Sequence, residues 1–77
     1  MKFIELNKRR YNETYGYSDK TVRGAFNLDN VVMVMEEEKG TSIVGTNGAV
    51  YSVKESYDEV IKIIEHMNIV EQLKERG

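Results

Sequence analysis

Lys8, Arg9, Arg10, Lys20 and Arg23 are interleaved with Tyr11, Tyr15 and Tyr17 in one stretch of the chain. Cations neutralise phosphates, and aromatic rings offer stacking platforms worth about 1 to 3 kcal/mol per base on single-stranded nucleic acid. Tyrosine and arginine are also the side chains enriched in the hot spots of protein interfaces. A third reading is purely structural, with the tyrosines packed down on a sheet and the charges solvated. Between the two binding readings a protein partner is preferred and nucleic acid is the alternative. The candidate partner-binding residues are Arg9, Arg10, Tyr11, Tyr15, Tyr17, Lys20 and Arg23.

Chemistry elsewhere in the chain is sparse. The single histidine, His66, falls on the outward side of a C-terminal helix, and no serine or cysteine is placed to use it as a base, so it reads as a solvated surface residue. Glu36, Glu37 and Glu38 carry the oxygens that hard cations prefer. Consecutive residues leaving a strand point in alternating directions, however, so a solvated turn is the better reading. No glycine-rich phosphate loop, zinc-protease pair or nucleophile elbow occurs. No catalytic residue, cofactor or metal is therefore predicted, and the chain is expected not to be an enzyme.

The elements that must position the tyrosines follow from periodicity. Lys2 to Lys8 alternates, with Ile4 and Leu6 on one side and Glu5 and Asn7 on the other, the period of a half-buried strand. Residues 9–20 lack an apolar period and read as a long hairpin loop or as a ribbon extending from the sheet. In the next strand Val22, Gly24, Phe26 and Leu28 share a face, while Thr21, Arg23 and Asn27 look away. After the turn dipeptide Asp29-Asn30, Val31 to Met35 is a β-branched and methionine run that predicts a central strand covered on both sides.

Gly40 is expected to supply a positive φ in the following turn. Asn47-Gly48 predicts a type I′ turn joining the strands of a hairpin over 41–54. In it Thr41 and Ile43 share a face, as do Ser42 and Val44, and as do Ala49, Tyr51 and Val53 across the turn.

A helix over 56–75 opens on Ser56-Tyr57-Asp58-Glu59, a capping box in which Ser56 accepts from the Glu59 N–H and the Glu59 carboxylate returns to the Ser56 N–H. Tyr57, Val60, Ile61, Ile64 and Met67 form one stripe, which predicts the face that covers the sheet. Ile69, Val70 and Leu73 fall off that stripe. The helix either breaks near Asn68 or runs straight and presents these residues to another chain, and the second reading makes them candidate self-association residues.

At 77 residues the chain makes one domain, residues 1–77, which buries only about 60 to 65% of its unfolded surface. Without cysteine neither a disulfide nor a thiolate zinc site can add to a thin core, so a homo-oligomer is expected. The longest apolar stretch, Val31 to Met35, is too short to span a bilayer, and no apolar leader is visible, so no membrane insertion and a cytoplasmic location are expected. A net charge of −2 argues against wholesale binding to polyanions, although one basic loop sits on an acidic body. The expected fold is α+β: an antiparallel sheet of four to five strands in a β-meander, with a C-terminal amphipathic helix packed on one face.

Within this frame, Phe26 to Ile64 resembles the small flagellar and swarming-motility proteins of the FlbD-like family. The resemblance is carried by Asn27-Leu28 before an apolar strand, Gly40-Thr41, Asn47-Gly48 and Val53-Lys54-Glu55-Ser56-Tyr57-Asp58-Glu59-Val60, with Phe3-Ile4-Glu5-Leu6 similar in character. It implies a short cytoplasmic bacterial protein linked to flagellar function, or a phage or mobile-element relative of one, without enzymatic activity. The tyrosine-rich insertion between the first two strands and the extension after Met67 depart from the family pattern. Together these readings predict a binding or assembly adaptor that meets a protein through its Tyr/Arg loop and associates with itself.

Overall fold

A computed structural model describes residues 2–76, with side chains described through Val70. Five strands, a short 3-10 turn and one helix follow in order: β1 (Phe3–Asn12), β2 (Gly16–Asn27), the turn Leu28–Asn30, β3 (Val31–Glu36), β4 (Thr41–Gly45), β5 (Val50–Val53) and α1 (Tyr57–Arg76). All strand pairs are antiparallel, and the spatial order is β2-β1-β5-β4-β3. The meander therefore holds from β3 to β5 and from β1 to β2, and the sheet is completed by β5 pairing with β1 at Lys8 and Val53.

That order forces the sheet to curl. Five flat strands span about 19 Å at about 4.8 Å per spacing. The edge strands β2 and β3 are joined by only Leu28–Asn30, a link that reaches at most about 13 Å when fully extended. The sheet is thus a meander rolled until its last strand meets its first, with an open seam between β2 and β3. Asn27 holds the link in shape by accepting the Asp29 N–H on Oδ1 at 3.0 Å.

The core lies on the concave side. Ile4 and Leu6 from β1, Ile43 from β4, Val53 from β5 and Val60 from α1 are buried, with Phe26, Leu28, Val31, Val34, Ile63, Ile64 and Met67 packed around them. The alternation of β1 is as the periodicity predicts; of the predicted helix stripe Val60, Ile64 and Met67 pack in the core and Ile63 joins them, whereas Tyr57 and Ile61 are half-buried outside that cluster. Helix α1 packs against β1 and β3. It runs through Asn68 without a break, which leaves Ile69 55% exposed and Val70 half-buried. The Leu73 side chain lies outside the described residues.

Two local expectations are corrected. Val31 to Met35 is not a central strand covered on both sides: β3 is an edge strand, and Val32, Met33 and Met35 are exposed. Its place follows from the β1–β5 pairing, which moves β3 to the rim whatever its composition. The Asn47-Gly48 turn is not type I′, because Asn47 lacks the positive φ that type requires. Gly48 alone lies there, at +81°; its N–H donates to the Gly45 carbonyl at 3.0 Å, and Gly45 N–H donates to the Ala49 carbonyl at 2.9 Å. This is the three-residue loop with a glycine bulge, and Asn47 supports it at ordinary φ by accepting the Ala49 N–H on Oδ1 at 3.1 Å.

Gly40 does adopt the positive φ expected of it, +86°. The helix start is close to the predicted box: Ser56 Oγ accepts the Glu59 N–H at 3.2 Å, while the Glu59 carboxylate meets the Ser56 hydroxyl at 3.4 Å rather than its N–H.

Candidate functional site: the tyrosine ribbon

Of the two readings of residues 9–20, the structure has the ribbon. β1 and β2 stay paired out to Asn12 and Gly16. The turn between them is held by Asn12, whose Oδ1 accepts the N–H groups of Thr14 and Tyr15 at 2.8 and 3.2 Å. Gly16 follows at φ +75°, a conformation that a side chain would resist. The molecule is accordingly elongated, 50 × 24 × 19 Å.

Tyr11 and Tyr17 are cross-strand partners with rings 5.1 Å apart at 61°, an edge-to-face pair that stiffens the ribbon. Tyr15, at the tip, is 87% exposed. Arg10, Tyr11, Tyr15 and Tyr17 line a shallow depression of about 400 Å³ together with Asn12, Gly16 and Ser18. Four of the seven predicted partner-binding residues therefore share one surface.

The other three do not join them. Lys20 is exposed but lies outside that depression, and Arg23 is exposed lower on β2, with Nη1 3.9 Å from the Glu5 carboxylate. Arg9 is a correction, because it is not available to a partner: only 13% of its side chain is exposed. Its Nε donates to the Ser18 carbonyl at 3.1 Å, Nη1 to the Lys39 carbonyl at 3.2 Å, and Nη2 to the Asp19 carboxylate at 3.1 Å.

A register shift between Arg9 and Tyr11 makes this possible, since Arg10 alone stands against Ser18, Asp19 and Lys20. The bulge turns the Ser18 carbonyl and the Asp19 carboxylate toward the guanidinium. Arg9 thereby ties the base of the ribbon to the β3–β4 turn. Lys8 is also drawn off, onto the concave side, with Nζ 6.0 Å from the Tyr51 ring centroid.

Glu55 is a residue that periodicity missed. Its carboxylate accepts the Asn7 backbone N–H on both oxygens at 2.9 and 3.0 Å, and Asn7 Nδ2 at 3.0 Å. The neighbouring Lys54 N–H donates to the Asn7 carbonyl at 2.8 Å, and the buried Thr41 hydroxyl donates to the Glu55 carbonyl at 2.8 Å. The run from Val53 to Val60 is thus a junction of β1, β4, β5 and α1. A carboxylate serving a backbone N–H across 48 positions leaves no local signal.

Among the described residues no group of three or more His, Asp or Glu side chains comes together to hold a metal ion, and Glu37 is engaged by the Ser42 hydroxyl at 2.9 Å. His66 is exposed on α1. Among the described residues no helix is long and apolar enough to cross a membrane. Comparison with protein-family models, with curated proteins and with solved structures gives no match.

Proposed function

We propose that this chain is a non-catalytic binding and assembly module whose ribbon tip docks on a protein partner. One observation carries the reading: Arg10, Tyr11, Tyr15 and Tyr17 sit together on a braced, projecting ribbon. Rigid aromatic side chains lose little freedom on binding, and tyrosine and arginine dominate interface hot spots. The geometry gives nucleic acid less support. Of the five cations in the stretch, Arg9 is occupied internally, Lys8 lies on the concave side and Arg23 faces Glu5, which leaves Arg10 and Lys20 on a ribbon that also carries Glu13 and Asp19.

Self-association is the second half of the proposal. The exposed edge strand β3, with Val32, Met33 and Met35, together with Val50 and Ile69, presents apolar surface that a thin-cored domain gains by covering. The flagellar or phage-accessory setting implied by the resemblance is retained as the cellular context of this proposal.

The test is photo-crosslinking in the native cell from position 14, exposed beside Tyr15 at the tip, compared among the Tyr11→Ala, Tyr15→Ala and Tyr17→Ala variants. Loss of a hot-spot residue weakens binding by about 30-fold or more. A partner captured equally well by all three alanine variants overturns the reading. Tight, salt-sensitive binding of oligonucleotides would replace it with the nucleic-acid alternative.

A further inference from the structure

At the seam between β2 and β3 the rolled sheet leaves two strand edges unpaired. Antiparallel alternation says which backbone groups face it. Leu28 N–H donates to the Lys2 carbonyl, so the even-numbered residues of this part of β2 face β1. The N–H and C=O of Ala25 then point into the seam. Beside them runs a groove of about 470 Å³ whose lining includes Gly24, Phe26, Ile43 and Tyr51, with Lys8 and Asn27 among its polar members. No residue of α1 lines it.

The groove has an apolar floor and one cation. Phe26 and Tyr51 meet edge-to-face at 5.5 Å and 74°. Among the described residues no carboxylate lies within 4 Å of Lys8 Nζ, whose neighbour is the Tyr51 ring. Gly24 leaves open the shelf between them: a Cβ there would touch only the Phe26 ring and Lys8 Cβ, at 3.6 to 4.0 Å. A glycine within a strand marks a place where another backbone can come close. Inserting one strand between two edges takes about 10 Å and inserting two takes about 14 Å. Next to the Leu28–Asn30 link, whose reach is about 13 Å, the seam has room for one at most.

We propose that this seam takes an extended peptide segment of a partner protein as an added strand along β2. An apolar side chain of the segment rests on the Tyr51 and Phe26 rings, and a carboxylate two residues away pairs with Lys8 Nζ. Residues two apart on a strand share a face, so both groups point into the groove together. Main-chain hydrogen bonds to Ala25 supply the affinity common to strand addition, and Lys8 supplies the preference for an acidic segment. The site is separate from the ribbon tip and stands without it.

The experiment titrates the isotopically labelled full chain with a short threonine peptide that carries one phenylalanine and one aspartate two positions apart. The expected result is amide shifts at Gly24 to Asn27, Ile43 and Tyr51, with slowed hydrogen exchange at Ala25. Lys8→Gln, or asparagine in place of the peptide's aspartate, weakens binding about tenfold or more, the loss expected for one charge-assisted hydrogen bond. Tyr15→Ala leaves the affinity unchanged, which separates this site from the ribbon tip.

Three results overturn the proposal. One is no shift at those amides at about 1 mM peptide, enough to half-saturate a millimolar site. Another is undiminished binding by a folded Lys8→Gln chain. The third is phenylpropionate binding as tightly as the peptide, which would make this a small-carboxylate site rather than a strand acceptor.

Discussion

Replacing Gly40 with alanine tests the packing of the junction. The residue sits at φ +86°, and a Cβ built there would clash with the Val53 carbonyl oxygen and lie 3.3 Å from that of Lys54. Two costs add. Placing an L-residue in the left-handed region costs about 1 to 2 kcal/mol. Forcing a methyl group against fixed backbone costs about 1 to 3 kcal/mol more.

The Val53 carbonyl cannot retreat freely. Val53 is fully buried, the Lys54 N–H is committed to Asn7, and the Thr41 hydroxyl to Glu55. The expected loss is therefore about 2 to 5 kcal/mol, against a total stability of about 4 to 12 kcal/mol for 77 residues. Gly48→Ala is the control, because Gly48 has φ +81° but nothing within 4 Å of a new Cβ, so that only the conformational cost applies. Urea unfolding followed by far-ultraviolet circular dichroism should give Gly40→Ala a loss larger than that of Gly48→Ala by about 1 to 3 kcal/mol. Equal losses for the two variants would refute the argument that the Val53 carbonyl closes this turn.

Other predictions concern the remaining joints. Glu55→Ala should cost about 1 to 3 kcal/mol, because the Asn7 N–H loses a charged acceptor, and hydrogen exchange at Asn7 should accelerate. Ser56→Ala should cost about 1 kcal/mol in chemical denaturation through loss of the cap on α1. Arg9→Met should leave the core folded but loosen the ribbon, seen as faster exchange at Ser18 to Lys20; an unchanged exchange pattern would mean that the guanidinium does not hold its base. Val32→Lys should favour the monomer in analytical ultracentrifugation by placing a charge on the β3 edge, and an unaltered oligomer would remove that strand from the association surface.

What was legible in the sequence is what short-range physics encodes. The alternation of Ile4 and Leu6 against Glu5 and Asn7 identifies the buried face of β1, and the spacing of Val60, Ile64 and Met67 identifies the covering face of α1. Ser56 and Glu59 locate the start of the helix from three positions apart. The misplacement of β3 has a long-range cause. Val31 to Met35 has the composition of an interior strand, yet its position depends on Lys8 meeting Val53, a distant pairing that nothing within the run reports.

The candidate site was legible only in part. Tyr11, Tyr15 and Tyr17 stand out by type, but the diversion of Arg9 into the base of the ribbon requires a bulge that brings Ser18 and Asp19 to it and a turn that brings Lys39. Glu55 has the appearance of a solvated charge until Asn7 is placed beside it.

The β1–β5 pairing also bears on how the chain is made. During translation Phe3–Asn12 and Gly16–Asn27 can zip together within about 1 to 10 μs of leaving the ribosome. Val53 is synthesised 26 residues after Asn27 completes that hairpin, about 1 to 5 s later at ordinary elongation rates. Throughout that interval the nascent hairpin carries Ile4 and Leu6 with neither β5 nor the helix to shelter them, and such an unfinished hairpin is a natural client for chaperones.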